Sequence, residues 1–183
     1  MNLHASVSLM IRPFQVDDAP AFVEAVRDSL HPLREWLHWP HASYAEDDAR
    51  RWFAACDATR QAGTADEKGI FEEGSGHLLG AVGLHGIDRR HRCAALDFWV
   101  RRSHQWRGIA TQAAFLMARD AFANTSLQRI EMVVGEQHVA CRRVAEKLAA
   151  RFEGKALNRL CIAGRQQAAA IYSLTPQSGF HQP

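Results

Sequence analysis

"AALDFWV" (94–100) runs into "RRSHQWRGIATQAAFLMARD" (101–120) with almost no break. The first stretch reads as a strand; the second holds Gly108 in a tight connection and then becomes helical. Four arginines, Arg101, Arg102, Arg107 and Arg119, come before the first acid, Asp120. The first backbone N–H groups of a helix have no internal acceptor, and the helix dipole adds positive charge there. With no side chain at Gly108, the amides from Gln105 through Trp106, Arg107, Gly108, Ile109 and Ala110 to Thr111 can face one anion. Arginine suits phosphate because its guanidinium binds two oxygens at once. The plain alternative is a glycine that only eases a strand-to-helix turn, beside solvated arginines. Two other phosphate motifs are excluded: no G-x-x-x-x-G-K-[ST] occurs, and the glycines at 80, 83 and 86 fit no G-x-G-x-x-G.

Outward from this stretch, the pattern is of one domain covering residues 1–183. "SLMIRPF" (8–14) suits a first strand, and "VDDAPAFVEAVRDSL" (16–30) opens a helix with acids and a proline. The aromatic segment "HPLREWLHWP" (31–40) follows, then a helix over "YAEDDARRWFAACDATRQAG" (44–63) that stops at Gly63. Strands around "KGIFEE", "HLLGAVGLHGI" and "CAALDFWV" are separated by turn residues, as in an antiparallel meander. Beyond the helix at 106–122, a strand "QRIEMVV", a helix at 137–150 and strands near 152–162 and 167–174 complete the chain. That order implies an α/β (α+β) fold, helices on both faces of a mixed sheet.

Composition narrows the function. The chain has 183 residues, 47% hydrophobic, and its 22 Lys and Arg nearly balance 20 Asp and Glu. A full core is expected; a nucleic-acid partner is not, because the positive charge is local. No apolar run approaches the roughly 20 residues of a membrane span. The start "MNLHASVSLMIRPF" does not read as a signal peptide. Cys56, Cys93, Cys141 and Cys161 are widely spaced, which suits reduced thiols in a cytoplasmic protein. The ten histidines show no H-E-x-x-H or comparable spacing, so no metal is expected.

"Q-x-x-G-x-A" at 105–110, directly after "LDFWVRRSH", resembles the acetyl-CoA pyrophosphate motif of the GNAT acyltransferases. Further segments are similar to the RimJ/RimL branch, which acetylates protein N-termini: "LREWLHWP" (33–40), "RIEMVV" (129–134), "HVACRRVAEKL" (138–148) and the closing "AAIYSL" (169–174). The resemblance spans residues 9 to 175 in order. It implies the GNAT fold, a mostly antiparallel mixed sheet of six to seven strands. It also implies acetyl-CoA as cosubstrate, direct attack by the acceptor amine, and no acyl-enzyme. The pantetheine arm would enter a gap beside the strand, bonding to the backbone around Trp99, Val100 and Arg101, with the pyrophosphate at Gln105 to Thr111. Trp36 and Trp39 would shape the acceptor mouth, or serve as core. The acceptor implied is a protein or peptide N-terminus. The resemblance leaves open a small amine (aminoglycoside, polyamine or amino-acid derivative), a non-catalytic acyl-CoA-binding module, and a homodimer.

The chain departs from the family pattern in ways that matter. Asp97 stands where the family commonly has Gly, on one strand face with Ala95 and Trp99. It is a candidate base or acceptor-binding residue, or the partner of an arginine. His138 replaces the family Asn and Cys141 the Ser; both are candidates to face the thioester, His138 also as a helix-start residue and Cys141 also as core. Cys141 would donate a proton or hydrogen bond to the departing thiolate, a transfer near balance for an ordinary thiol of pKa about 8.5. Ala149 and Ala150 follow "EKL" in place of Gly-Phe.

Overall fold

The structure, a computed structural model, describes residues 7–177, so Met1 to Ser6 of the N-terminal stretch discussed above lie outside it. One sheet of seven strands carries the fold. The strands are β1 (Leu9–Arg12), β2 (Asp66–Glu72), β3 (Leu78–Asp88), β4 (Cys93–Val100), β5 (Arg129–Gly135), β6 (Arg151–Ile162) and β7 (Arg165–Leu174). Their spatial order is β1-β2-β3-β4-β5-β7-β6. Every neighbouring pair is antiparallel except β4 and β5. The mixed α/β architecture expected from the sequence is therefore the one found.

Five helices cover the sheet: α1 (Ala19–Asp28), α2 (Leu30–Trp36), α3 (Glu46–Ala62), α4 (Ile109–Asn124) and α5 (Val139–Lys147). On one face, Phe22 and Val26 of α1 and Phe53 of α3 pack with Phe14, Phe71 and Leu78. Phe22 is fully buried and meets the rings of Phe14, Phe53, Trp52 and Trp99 at 5.0–5.6 Å between centroids. On the other face, Ile109, Ala113 and Met117 of α4 and Ala145 of α5 pack over Val82, Leu96, Ile130 and Met132. Burying two such faces is the main stabilising term.

Helix ends follow their local chemistry. Pro20 lies in the first turn of α1, and Gly63 closes α3 in the left-handed conformation at φ 67°. The helix expected over 137–150 is shorter because Ala149 adopts φ 54°. There the Ala149 amide donates to the Glu146 carbonyl and the Ala150 amide to the Ala145 carbonyl, both at 3.0 Å, a Schellman closure. The helix expected from 106 begins instead at Ile109, after a 3-10 turn at Arg102–His104.

Candidate active site

β4 and β5 pair through only Cys93↔Arg129, Ala94↔Ile130 and Ala95↔Glu131. Beyond Ala95 the strands separate, leaving one edge of β4 free from Leu96 to Val100. Which backbone groups line the gap follows from alternation in the antiparallel β3–β4 ladder. The Arg101 amide donates to the Leu79 carbonyl at 2.8 Å. In the register Ala81↔Trp99 and Gly83↔Asp97, the backbone groups of Trp99 and Asp97 also turn to β3. Those of Leu96, Phe98 and Val100 turn into the gap. Of Trp99, Val100 and Arg101, where a strand contact was expected, Val100 turns its backbone into the gap, as Phe98 does, and Trp99 and Arg101 do not. The Val100 carbonyl is taken by the Gln105 side chain at 3.1 Å, which leaves the Val100 amide and both Phe98 groups.

At the mouth of the gap, Trp106 and Gly108 adopt φ 66° and 79°. The first α4 amide with an acceptor in the chain is that of Gln112, which donates to the Gly108 carbonyl at 3.0 Å. Among the described residues nothing accepts from the amides of Trp106 to Thr111, so these donors are open to a ligand. A Cβ on Gly108 would meet no protein atom within 4 Å, so the glycine supplies its backbone angle and leaves the approach open. Arg102, Arg107 and Trp106 are exposed, Trp106 to 82%.

Two predicted contacts differ in kind. Arg101 is buried, and its guanidinium bonds Glu24 at 2.8 Å, Asp28 at 3.3 Å and the His77 ring at 2.7 Å. Its charge and its amide are both committed inside the protein. Gln105 buttresses the strand end through Val100 rather than aiming outward. Arg119 lies far along α4, its guanidinium 5.6 Å from the centroid of the Phe115 ring.

The opposite wall is the start of α5. His138 is its N-cap and accepts a hydrogen bond from the Cys141 amide at 3.4 Å; its Nε2 lies 3.4 Å from Cys141 Sγ. Trp36 stacks on the His138 ring at 4.1 Å, and a Cβ on Gly135 would stand 3.0 Å from the Trp36 ring. Trp36, His138 and Cys141 therefore meet at one place. Burial lowers the pKa of the His138 imidazole, with Glu35 opposing, so the ring is neutral at pH 7. Burial, then the charge of Asp97, pushes the Cys141 thiol up to about 12. Trp39 lies elsewhere, half-buried against Phe22, Tyr44 and Trp99, which fits the core reading.

Asp97 projects from β4 on the α1–α3 face, its carboxylate 3.3 Å from His85 Nδ1. Its side chain is 71% exposed to the cleft, yet the surrounding protein hinders its hydration and raises its pKa, with His85 opposing. Among the described residues its ion-pair partner is His85, not an arginine. Sequence reasoning missed Glu67 on β2, which pairs with Gly83 as Asp97 does from the other side. Burial first, then the Asp97 charge, pushes Glu67 up to about 7. Among the described residues no group of three or more His, Cys, Asp or Glu could hold a metal ion.

A sheet that parts between the one parallel pair among its described strands, with free amides at the mouth of the parting, fits a class of acyl-transfer enzymes. The acetyltransferase (GNAT) domain family matches residues 8–151, and the chain belongs to that family; it is an acyltransferase. The Bacillus subtilis (strain 168) protein YdaF, provisionally named a ribosomal N-acetyltransferase, is 27% identical over 168 residues, 91% of this chain and 90% of that protein. The spermidine N(1)-acetyltransferase of Escherichia coli (strain K12) is 22% identical over 173 residues, covering 88% and 83%. Among solved structures, RimL, a ribosomal L7/L12 α-N-protein acetyltransferase in complex with coenzyme A as a coenzyme A–cysteine disulfide, superposes with a TM-score of 0.83. It shares 20% identity over 93% of this chain and 96% of that one.

Proposed function

We propose that this enzyme transfers an acetyl group from acetyl-CoA to the α-amine of a protein or peptide N-terminus, by direct attack within a ternary complex. The observation that carries this reading is the free edge of β4 beside the open amides of Trp106 to Thr111. An extended pantetheine arm can pair with Phe98 and Val100 as a strand would, and a pyrophosphate can accept from the loop amides. Arg102 and Arg107 add exposed charge there. The ribosomal-protein enzymes among the similar proteins support a protein acceptor.

In this reading three residues serve the proton steps. An α-amine has a pKa of about 8 and is largely ammonium at neutral pH, so it must lose a proton before it attacks. Asp97, raised in basicity and open to the cleft, takes that proton. Cys141, held as the thiol, donates a hydrogen bond to the sulfur as the C–S bond breaks, and neutral His138 orients it. Trp36 closes the acceptor mouth against His138.

A small cationic amine is the second reading, favoured by two carboxylates, Glu67 and Asp97, on the acceptor face and by the likeness to a spermidine acetyltransferase. Acetyl-CoA turnover against a panel of N-terminal peptides, polyamines, aminoglycosides and amino-acid derivatives decides between them. The first reading expects the highest kcat/KM on a peptide. A polyamine or another small amine turned over faster than every peptide replaces it, and acetyl-CoA binding without turnover on any amine rejects both.

A further inference from the structure

Of the tryptophans, Trp36 stacks on His138, and Trp39 and Trp99 meet each other and Phe22. Trp52 packs on Phe14 and Phe22. Trp106 differs from all of these: it is 82% exposed, and among the described residues its indole has no hydrogen bond and no ring contact. Its backbone is unusual too. At φ 66° it stands in the left-handed region, where a Cβ crowds the carbonyl and a bulky side chain is rare. Gly108, two residues on, shares that region without the steric penalty. The fold thus tolerates strain to hold an aromatic ring in water, and such outliers gather at ligand sites.

The order of groups along the cosubstrate decides what the ring meets. A pantetheine arm paired with Phe98 and Val100 delivers its pyrophosphate to the amides of Trp106 to Thr111. The adenosine is bonded to the far side of that pyrophosphate, so it leaves the gap beside those amides. The exposed side chains there are Arg102, Ser103, Trp106 and Arg107. The two guanidinium groups suit phosphate oxygens, and the indole offers a broad apolar face to a purine. We propose that the Trp106 indole is the adenine seat of coenzyme A, so that the enzyme tells coenzyme A from the same thioester arm without its nucleotide. This rests on the reading of the β4 gap as the cosubstrate site. Stacking needs a π face and no set of hydrogen bonds, so one exposed ring suffices without a pocket. A thioester whose phosphopantetheine is attached to a carrier protein has no adenine to stack, and is disfavoured.

The test is a calorimetric titration of the full chain with coenzyme A, dephospho-coenzyme A and phosphopantetheine, the weakest ligand by competition. Trp106→Ala keeps a Cβ and so keeps the backbone demand at this position. It should weaken coenzyme A and dephospho-coenzyme A alike, by about ten-fold, and leave phosphopantetheine unchanged. Trp106→Phe should retain most of the affinity. Equal losses for coenzyme A and phosphopantetheine overturn the proposal, because the indole would then only shape the loop. A loss that dephospho-coenzyme A does not share also overturns it, assigning the ring to the ribose phosphate. So does a raised KM for a peptide acceptor with coenzyme A affinity intact, which would give the ring to the acceptor. A wild-type protein that binds neither coenzyme A nor phosphopantetheine overturns the cosubstrate reading of the gap and the seat with it. Wild-type binding beside an unchanged Trp106→Ala overturns only the adenine seat.

Discussion

Asp97 lies near enough to Cys141 for its charge to act on the thiol, and the proposed function gives the two residues different tasks. Asp97→Asn removes a proton acceptor and leaves the loop amides untouched, so turnover should fall about 100-fold while acetyl-CoA affinity holds. Steady-state kinetics with a binding titration checks this, and a full rate in the variant would make Asp97 a purely structural acid. Cys141 was expected to give the departing sulfur a proton or a hydrogen bond. At a pKa of about 12 it cannot pass a proton to an ordinary thiolate near balance, so its contribution is a hydrogen bond. Losing a bond worth about 1 kcal/mol slows a reaction about five-fold. Cys141→Ser should keep most activity and Cys141→Ala should lose about that factor, with both melting near the wild type. Equal rates for the two variants would place the thiol in the core alone. His138 and Cys141 were singled out by the resemblance, standing where the family has Asn and Ser, and the structure brings His138 Nε2 and Cys141 Sγ to 3.4 Å. Glu67 was not, since a lone glutamate between Asp66 and Lys68 reads as a polar strand end. Only the register of three strands lays it over Gly83.

The elements around the site were legible where local signals decide them. β4 matches the expected strand over 93–100, and Gly63 stops α3 as read. Long-range features were not. Where β5 leaves β4, and which parity of β4 faces the opening, depend on pairings between residues far apart in sequence. The structure places Phe98 and Val100 there instead of Trp99 and Arg101. Acetyl-CoA should therefore slow amide hydrogen exchange at Phe98 and Val100, whose N–H groups lie on the unpaired edge. Arg101, already bonded to Leu79, should change little. Slowing at Trp99 with none at Val100 would reverse the parity. The end of α5 makes a second point. Its left-handed position carries Ala149, where a Cβ costs about 1–2 kcal/mol, partly offset by the greater freedom of an unfolded glycine. Ala149→Gly should raise stability by up to about 1 kcal/mol, a melting shift of roughly 2–4 °C. A lower melting temperature would show that the Schellman closure is not strained.

The two halves of the described sheet meet at three parallel residue pairs. Five of the seven β4–β3 register pairs lie beyond the point where β4 leaves β5, so β4 stays with β3 as the halves diverge. A ligand lying in the parting would touch β4 on one side and the His138–Cys141 wall on the other, with its phosphates on the start of α4. It would bind the folded chain and have no site on the unfolded one. At 100 times its dissociation constant such a ligand adds about 2.7 kcal/mol, which for a chain of this length raises the melting temperature by roughly 5–10 °C. Coenzyme A and acetyl-CoA should both do so, because the carrier contacts are common to them. Gly108→Val should abolish the shift: its side chain would project where no protein atom lies, into the approach to the free amides, and at φ 79° it would also strain the backbone. The strain alone would lower the melting temperature without ligand, so the informative quantity is the shift on adding coenzyme A to each protein. A variant that melts lower but keeps the full shift would move the phosphate site away from Gly108. A wild-type protein unmoved by millimolar coenzyme A would remove the cosubstrate from the parting altogether.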